Sequence, residues 1–249
     1  MTYKSSVDIV LPVLNEQEAL VASISRLLKF CSEEMISYNW NIIIADNGST
    51  DETYNIAKQI ESDSKNVNVI KLSKKGRGRA LKKAWKNSDA AIKVYMDIDL
   101  STDLKYLPII CDYVYSKKYD MAIGSRLIKG SKVAGRTLKR EIISRGYSLM
   151  FRCLFWVPFK DAQCGFKAIS SETGETLLPL IDDNGWFFDT ELLILANKLG
   201  YKIKEVPVYW IDDPNSSVNV ISTAWNDIKG LMRLRFGGIE KAKKQMKLN

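Results

Sequence analysis

The stretch Ile92-Lys-Val-Tyr-Met-Asp97-Ile-Asp99-Leu-Ser-Thr-Asp103 decides the fold. A short apolar run ends abruptly on two carboxylates, as a buried strand does when it opens into a polar loop. Three similar runs precede it, over residues 7–12, 41–46 and 67–72, with helical patterns between them. Leu20, Ile24, Leu27 and Leu28 recur at i, i+4, i+7 and i+8, which is one apolar face of a helix. Ser49 or Thr50 stands where it can cap a second helix, with Glu52 in the first turn. Residues 80–87 predict a third helix behind a basic, glycine-containing loop, and 103–115 a fourth. Strands alternating with helices build a mainly parallel sheet flanked by helices. Such sheets bind ligands at the carboxyl ends of their strands, which gathers Asn15, Asp46, Gly76, Asp97 and Asp99 on one edge.

The second half is less regular. It predicts strands over 121–124, 164–169 and 202–210, an amphipathic helix over 138–156, and a helix starting near Asp189. A last helix over 225–236 should stop at Gly237-Gly238, with a lysine-rich tail beyond it. Residues 1–212 are expected to form one α/β domain, and 213–249 a basic, amphipathic helical tail without a domain of its own.

Composition removes several chemistries. The 249 residues include no His, which excludes Ser-His-Asp catalysis, Cys-His nucleophiles and His-ligated zinc. Cys31, Cys111, Cys153 and Cys164 form no Cys-x-x-Cys pair and predict buried thiols rather than a disulfide framework. The balance of 37 basic against 29 acidic residues, +8 overall, favours an anionic partner. Nucleic acid is not expected, because acidic strand ends without a metal would repel a phosphate backbone. The chain enters a strand within about seven residues, too soon for a signal peptide, and no apolar run reaches the ~20 residues that cross a bilayer. A soluble or peripheral protein is the expectation.

Asp97-Ile-Asp99 offers the hard oxygen ligands that Mg²⁺ or Mn²⁺ takes when it bridges protein to diphosphate. Asp-x-Asp alone is a weak signal; solvated loop carboxylates or a helix cap would look the same. Asp46-Asn-Gly-Ser-Thr-Asp51 is a glycine turn before a capped helix, in which Asp46 can also accept a hydrogen bond from a base N–H. Pro12-Val-Leu-Asn15-Glu16 is a helix start by default and a base or ribose contact in context. In Lys74-Lys-Gly-Arg-Gly-Arg-Ala80, Leu81 replaces the third glycine of a dinucleotide fingerprint, so NAD binding is rejected; the loop is either basic surface or a lid over a diphosphate.

In this order and spacing, Pro12-x-x-Asn15-Glu16, Asp46-Asn-Gly-Ser-x-Asp51, Lys75-Gly-Arg-Gly and Asp97-x-Asp99 resemble glycosyltransferase family 2, with its Rossmann-like GT-A fold. Gly124-Ser-Arg126, Arg140, Ser144-Arg145, Asp161-Ala-Gln-Cys-Gly-Phe-Lys167, Trp186-Phe-Phe-Asp-Thr-Glu-Leu-Leu193 and Glu205-Val-Pro-Val-Tyr-Trp210 look like the polyprenol-phosphate hexosyltransferases, closest to the dolichyl-phosphate glucosyltransferase branch. The resemblance implies inverting transfer of a hexose, with UDP-glucose as the indicated donor, to polyprenyl or dolichyl phosphate on the cytoplasmic face of a membrane. GDP-mannose as donor, or a soluble glycan as acceptor, is the alternative.

The same resemblance distributes roles. Pro12, Asn15, Glu16, Asp46, Gly76, Arg77 and Asp97 would bind the donor nucleotide, and Asp97, Asp99 and Ser101 the Mg²⁺ or Mn²⁺. Arg126, Arg140 and Ser144 would hold the acceptor phosphate, and Asp161 and Gln163 would support the sugar pocket. Asp99, Arg126, Arg140 and Glu191 would form the catalytic set, Glu191 lining the donor or acceptor site. The chain departs from the pattern at Leu100-Ser-Thr, where small residues are expected, and at Ser216-Ser217-Val218, where a Ser-Lys pair is expected. Ile142, Ile143, Leu149, Phe151, Phe155 and Trp156, flanked by Arg140, Arg145 and Arg152, suit an interfacial helix or a buried one. Arg233, Arg235, Lys241, Lys243 and Lys244 add basic charge that anionic lipid would attract.

Overall fold

The structure, a computed structural model, describes residues 3–212 and 220–247, with side chains from 224 onward in the second segment. The elements are β1 (Ser6–Val13), α1 (Leu20–Glu34), β2 (Asn39–Asp46), α2 (Thr53–Asp63), β3 (Val67–Lys71), α3 (Arg77–Lys86), β4 (Ile92–Met96), α4 (Tyr106–Tyr115) and β5 (Met121–Ser125). There follow β6 (Lys132–Ala134), α5 (Leu138–Phe155), β7 (Phe166–Ser170), α6 (Ser171–Leu177), α7 (Phe188–Lys198), β8 (Ile203–Pro207), β9 (Tyr209–Ile211), α8 (Val220–Arg233) and α9 (Ile239–Met246). A seven-stranded sheet takes the order β3-β2-β1-β4-β7-β5-β8, and β6 pairs with β9 beside it.

Period-two alternation makes the sheet two-sided. Val7, Ile9, Leu11 and Val13 of β1 enter one core with Leu20, Ile24 and Leu27 of α1 and Leu107, Ile110 and Val114 of α4. Val10 points the other way, into a second core with Leu81 and Trp85 of α3, Phe151 and Phe155 of α5, and Leu192 and Leu195 of α7. Covered on both faces, β4 is buried at every position. Even Lys93 is sealed in, its Nζ donating to the Trp85 carbonyl at 2.9 Å.

Six strands of the large sheet run one way and β7 runs against both neighbours, with Met96 opposite Phe166 and Met121 opposite Ile169. The start of β7 therefore lies at the edge where β4 ends, which brings residues 161–165 beside Asp97.

Several expectations change in detail. Residues 202–210 are two strands, because β8 ends at Pro207, which has no N–H to give a ladder, and the chain crosses to β6. The second helix is capped neither by Ser49 nor by Thr50: Asp51 Oδ1 accepts the Thr53 N–H at 3.0 Å. The third helix begins at Arg77, three residues early. The last expected helix ends at Arg233; a bend with Gly237 at φ 126° follows, and the lysine-rich stretch continues as α9. Ala242 of α9 is buried, and Lys241 pairs with Asp182 at 2.8 Å, so this segment packs on the α7 side of the molecule. Cys31, Cys111 and Cys164 are buried, but Cys153 faces out on α5. Ser216-Ser217-Val218 lies outside the described residues. None of the described helices is long and apolar enough to cross a membrane.

Candidate active site

The loops after β1 and β2 are stitched to each other. Asn15, at φ 56°, accepts the Thr50 N–H at 2.9 Å on its side chain, and its own N–H reaches Ser49 Oγ at 3.0 Å. The Glu16 N–H donates to Thr53 Oγ1 at 2.7 Å. Between them Pro12 is half-buried and Asp46 is fully buried. Asp46 Oδ1 accepts the Ser49 N–H at 3.2 Å, while Oδ2 is sealed from solvent with no hydrogen-bond partner among the described residues. A buried acceptor left empty is costly, and an N–H at the edge of a nucleobase would fill it.

The basic loop is held down by backbone fit. The Gly76 N–H donates to Asn47 Oδ1 at 2.7 Å, and its φ of 148° with the Asn184 carbonyl 2.4 Å from any added Cβ admits only glycine. Arg77 then turns inward. Its guanidinium donates to Asp97, stands 3.8 Å from Asp189 Oδ2, and lies over the rings of Tyr95 and Trp186 at 5.4 and 4.8 Å. Beneath it Asp189 accepts Lys167 Nζ at 2.6 Å as well as the Tyr95 hydroxyl, and Lys167 is wholly buried.

Asp97 and Asp99 sit at the end of β4 and are differently placed. Burial pushes the Asp97 carboxyl above the usual carboxylate range, against the pull of Arg77. Gly165 makes room for it, since a Cβ there would stand 1.9 Å from Asp97 Oδ2. Asp99 is exposed, and its Oδ1 accepts the N–H of Ser101, which is itself buried. Among the described residues no group of three His, Cys, Asp or Glu side chains could cage a metal. Two adjacent carboxylates, one of them open, fit a hard cation completed by diphosphate oxygens rather than by protein.

Beyond β5 the arrangement is cationic. Arg126 grips Asp161 in a fork at 2.8 and 2.9 Å over the Trp210 ring, and the Gln163 N–H donates to Asp161 Oδ1 at 3.2 Å. Burial pushes the Asp161 carboxyl up, but Arg126 and its hydrogen bonds outweigh this and leave it below the usual range. Arg126 lies in a cleft of about 420 Å³ with Arg136, Thr137, Glu141 and Arg145. Arg140 and half-buried Ser144 follow on α5; Arg140 Nη1 is 3.5 Å from Asp212 Oδ2, which Arg136 also reaches at 3.4 Å. Arg136 was not among the expected phosphate ligands, although its i, i+4 spacing to Arg140 was a visible signal.

Glu191 stands apart. It is buried, burial pushes its pKa up, and it accepts the Asp182 and Asp183 N–H groups at 3.3 and 2.8 Å and Arg233 Nη2 at 2.6 Å. Those three donors tie the 182–183 turn to α8 and give the carboxylate a positioning task.

Residues 8–177 match the profile of glycosyl transferase family 2. The chain is 33% identical over 226 residues to the glycosyltransferase AglD of Haloferax volcanii, covering 90% of this chain but 35% of that protein. It is 32% identical to the dolichyl-phosphate beta-glucosyltransferase of Dictyostelium discoideum, covering 92% of this chain and 73% of that one. The fold superposes on glucosyl-3-phosphoglycerate synthase from Mycobacterium tuberculosis in complex with uridine diphosphate, with a TM-score of 0.70 and 20% identity over 93% of this chain and 80% of that one. A carboxylate-bearing edge on a GT-A sheet, in a chain matched over most of its length, is therefore that of an enzyme: this protein is a glycosyltransferase and belongs to glycosyl transferase family 2.

Proposed function

We propose that the enzyme transfers glucose from UDP-glucose to a dolichyl or polyprenyl phosphate, with inversion, at a membrane surface. One observation carries the reading: an empty buried acceptor at Asp46, the Asp97–Asp99 pair and an arginine-lined cleft lie along one edge of one sheet. Base, diphosphate and acceptor phosphate are the three charges or hydrogen-bonding groups such an edge would receive, in that order. The dolichyl-phosphate beta-glucosyltransferases among the relatives supply the acceptor class, and a neighbouring structure in complex with Mn²⁺ and UDP-glucose supplies the donor and cation.

Asp46 would accept the base N–H, and Asp97 and Asp99 would hold Mg²⁺ or Mn²⁺, which neutralises the departing diphosphate. Arg126 would orient the acceptor phosphate from the cleft floor, with Arg136 and Arg140 contributing charge. A phosphate monoester is already ionised at neutral pH, so attack on the anomeric carbon needs no enzyme base. That fits a site whose Glu191 is committed to three donors. Leu138, Ile142, Leu149 and Trp156, on and just after α5, and Phe236 beyond α8 are large exposed apolar groups, and the first two stand within a turn of Arg140, as a lipid surface would require.

The test is a donor and acceptor matrix: UDP-glucose and GDP-mannose against dolichyl phosphate, 3-phosphoglycerate and a soluble glycan, with Mg²⁺, Mn²⁺ or EDTA. The expected product is β-linked glucosyl lipid phosphate, formed from UDP-glucose and only with a cation. Glucosylation of a soluble acceptor with dolichyl phosphate left untouched would overturn the acceptor assignment.

A further inference from the structure

Asp227 of α8 is 3% exposed, and its two oxygens have unequal surroundings. Oδ2 accepts Gln163 Nε2 at 2.6 Å. Oδ1 is sealed from solvent and has no hydrogen-bond partner among the described residues, nor does any cation there form an ion pair with Asp227. The charges that reach it are those of Asp183 and Asp189, both acidic, and Tyr147 of α5 lies within range of its field. An anion would be repelled from such a place. A metal ion is not served either, since no three carboxylates among the described residues converge on one point. A neutral donor is what an empty acceptor among acids can take.

Position says which donor. Gln163 is two residues from Gly165, which packs against Asp97, and the Gly165 carbonyl accepts the Asp97 N–H at 3.2 Å. On the glucosyl-transfer reading, a hexose carried on a diphosphate held at Asp97 and Asp99 would extend toward this loop. Resting on the glucosyl-transfer reading above, we infer that Asp227 is a specificity-determining residue: with Gln163 it hydrogen-bonds a hydroxyl of the donor sugar, so that the C-terminal helix α8 completes the sugar pocket. A site built to hydrogen-bond a hydroxyl discriminates strongly against a sugar that cannot offer it, because its buried acceptor is then left empty.

The experiment compares UDP with UDP-glucose, in the presence of Mn²⁺, by calorimetric titration of the wild type, Asp227→Ala and Asp227→Asn, with thermal melts as a folding check. UDP-glucose affinity should fall on the order of tenfold or more in Asp227→Ala while UDP affinity is unchanged, the loss expected for one hydrogen bond to a buried carboxylate. Asp227→Asn, which keeps an acceptor oxygen, should fall less, and in both variants the preference for UDP-glucose over UDP-galactose in kcat/KM should narrow. Equal loss of UDP and UDP-glucose would mark Asp227 as a packing residue and overturn the inference, as would unchanged affinity for both. If the wild type uses another nucleotide-sugar, the UDP-glucose reading fails alone, and the same comparison with that donor and its nucleoside diphosphate decides for Asp227. A wild type that binds no nucleotide-sugar overturns both.

Discussion

On the proposed function, two carboxylates in opposite surroundings, Asp46 and Asp99, would divide donor recognition between them. Asp46 is buried with one oxygen empty, so its contribution is a hydrogen bond that only a correctly placed ligand can complete. Asp99 is exposed, so its contribution is charge offered to a cation. The substitutions should therefore fail differently. Asp46→Ala should weaken UDP binding about ten- to a hundredfold, the cost of one such bond in a closed site, with kcat reduced less. Asp99→Ala should lower turnover by at least about a hundredfold and remove the dependence of UDP affinity on Mn²⁺. Titrations with and without the cation separate the two; an Asp99→Ala enzyme that turns over normally in EDTA would remove the cation from the scheme. Arg126 and Asp161 are a different case. Their fork is buried, so replacing either leaves an uncompensated charge and costs about 3–5 kcal/mol of stability, which would mask any effect on acceptor binding.

At the scale of elements, α8 is docked by a carboxyl that prefers to be neutral. Burial, with the nearby acids Asp183 and Asp189, raises Asp227 to about 7; unfolded it would titrate near ~3.9. The folded chain thus binds more protons than the unfolded one between those values, and the contribution of this group to stability is full in acid and lost as pH rises through about 7. The melting temperature of the wild type should fall between pH 5 and pH 8 by more than that of Asp227→Asn. Parallel pH profiles for the two proteins would contradict this account.

How much of this was legible follows from how far each feature reaches along the chain. The strands β1 to β4 and the edge they form were visible because each βα unit announces itself within one turn of chemistry: an apolar run, a polar end, a helical stripe. The direction of β7 was not, since Phe166–Ser170 carries no mark of which neighbours it joins or in which sense. The helix α6 escaped because its seven residues, Ser171–Leu177, are too short for a period to show. Basic residues after Gly237 suggested a lysine-rich end to a helical tail; where that tail packs was not visible, because Lys241 pairs with Asp182, 59 positions away. Asp227 gave no sequence signal either, for its partner Gln163 is 64 positions earlier.

Over the whole molecule, charge gathers at the start of α5 and exposed apolar surface continues along it to its end. Leu149 is 61% exposed and Trp156, at the left-handed turn that ends the helix, is 87% exposed. Each would gain up to ~2–3 kcal/mol on entering an apolar phase. A Leu149→Ser, Trp156→Ser double variant should co-sediment with anionic liposomes on the order of tenfold less than the wild type, with UDP affinity unaltered. Retention of full liposome binding would overturn a membrane contact at this helix.

The reversed strand β7 also dictates the order in which the molecule can come into being. Its neighbours β4 and β5 both precede it in the chain, yet neither touches the other in the finished sheet. During synthesis the β1–β4 half can close on itself through near neighbours, leaving its β4 border open until residues 166–170 emerge and wedge in. Pairings that distant are slow to find, because the intervening chain must be looped before anything rewards it. Gly165 and Gln163 arrive with the wedge, so Asp97 has its supporting wall only once this insertion is made. Catalytic competence is thus a late event in folding, and a nascent chain stalled before β7 would display the carboxylate edge without the ability to use it.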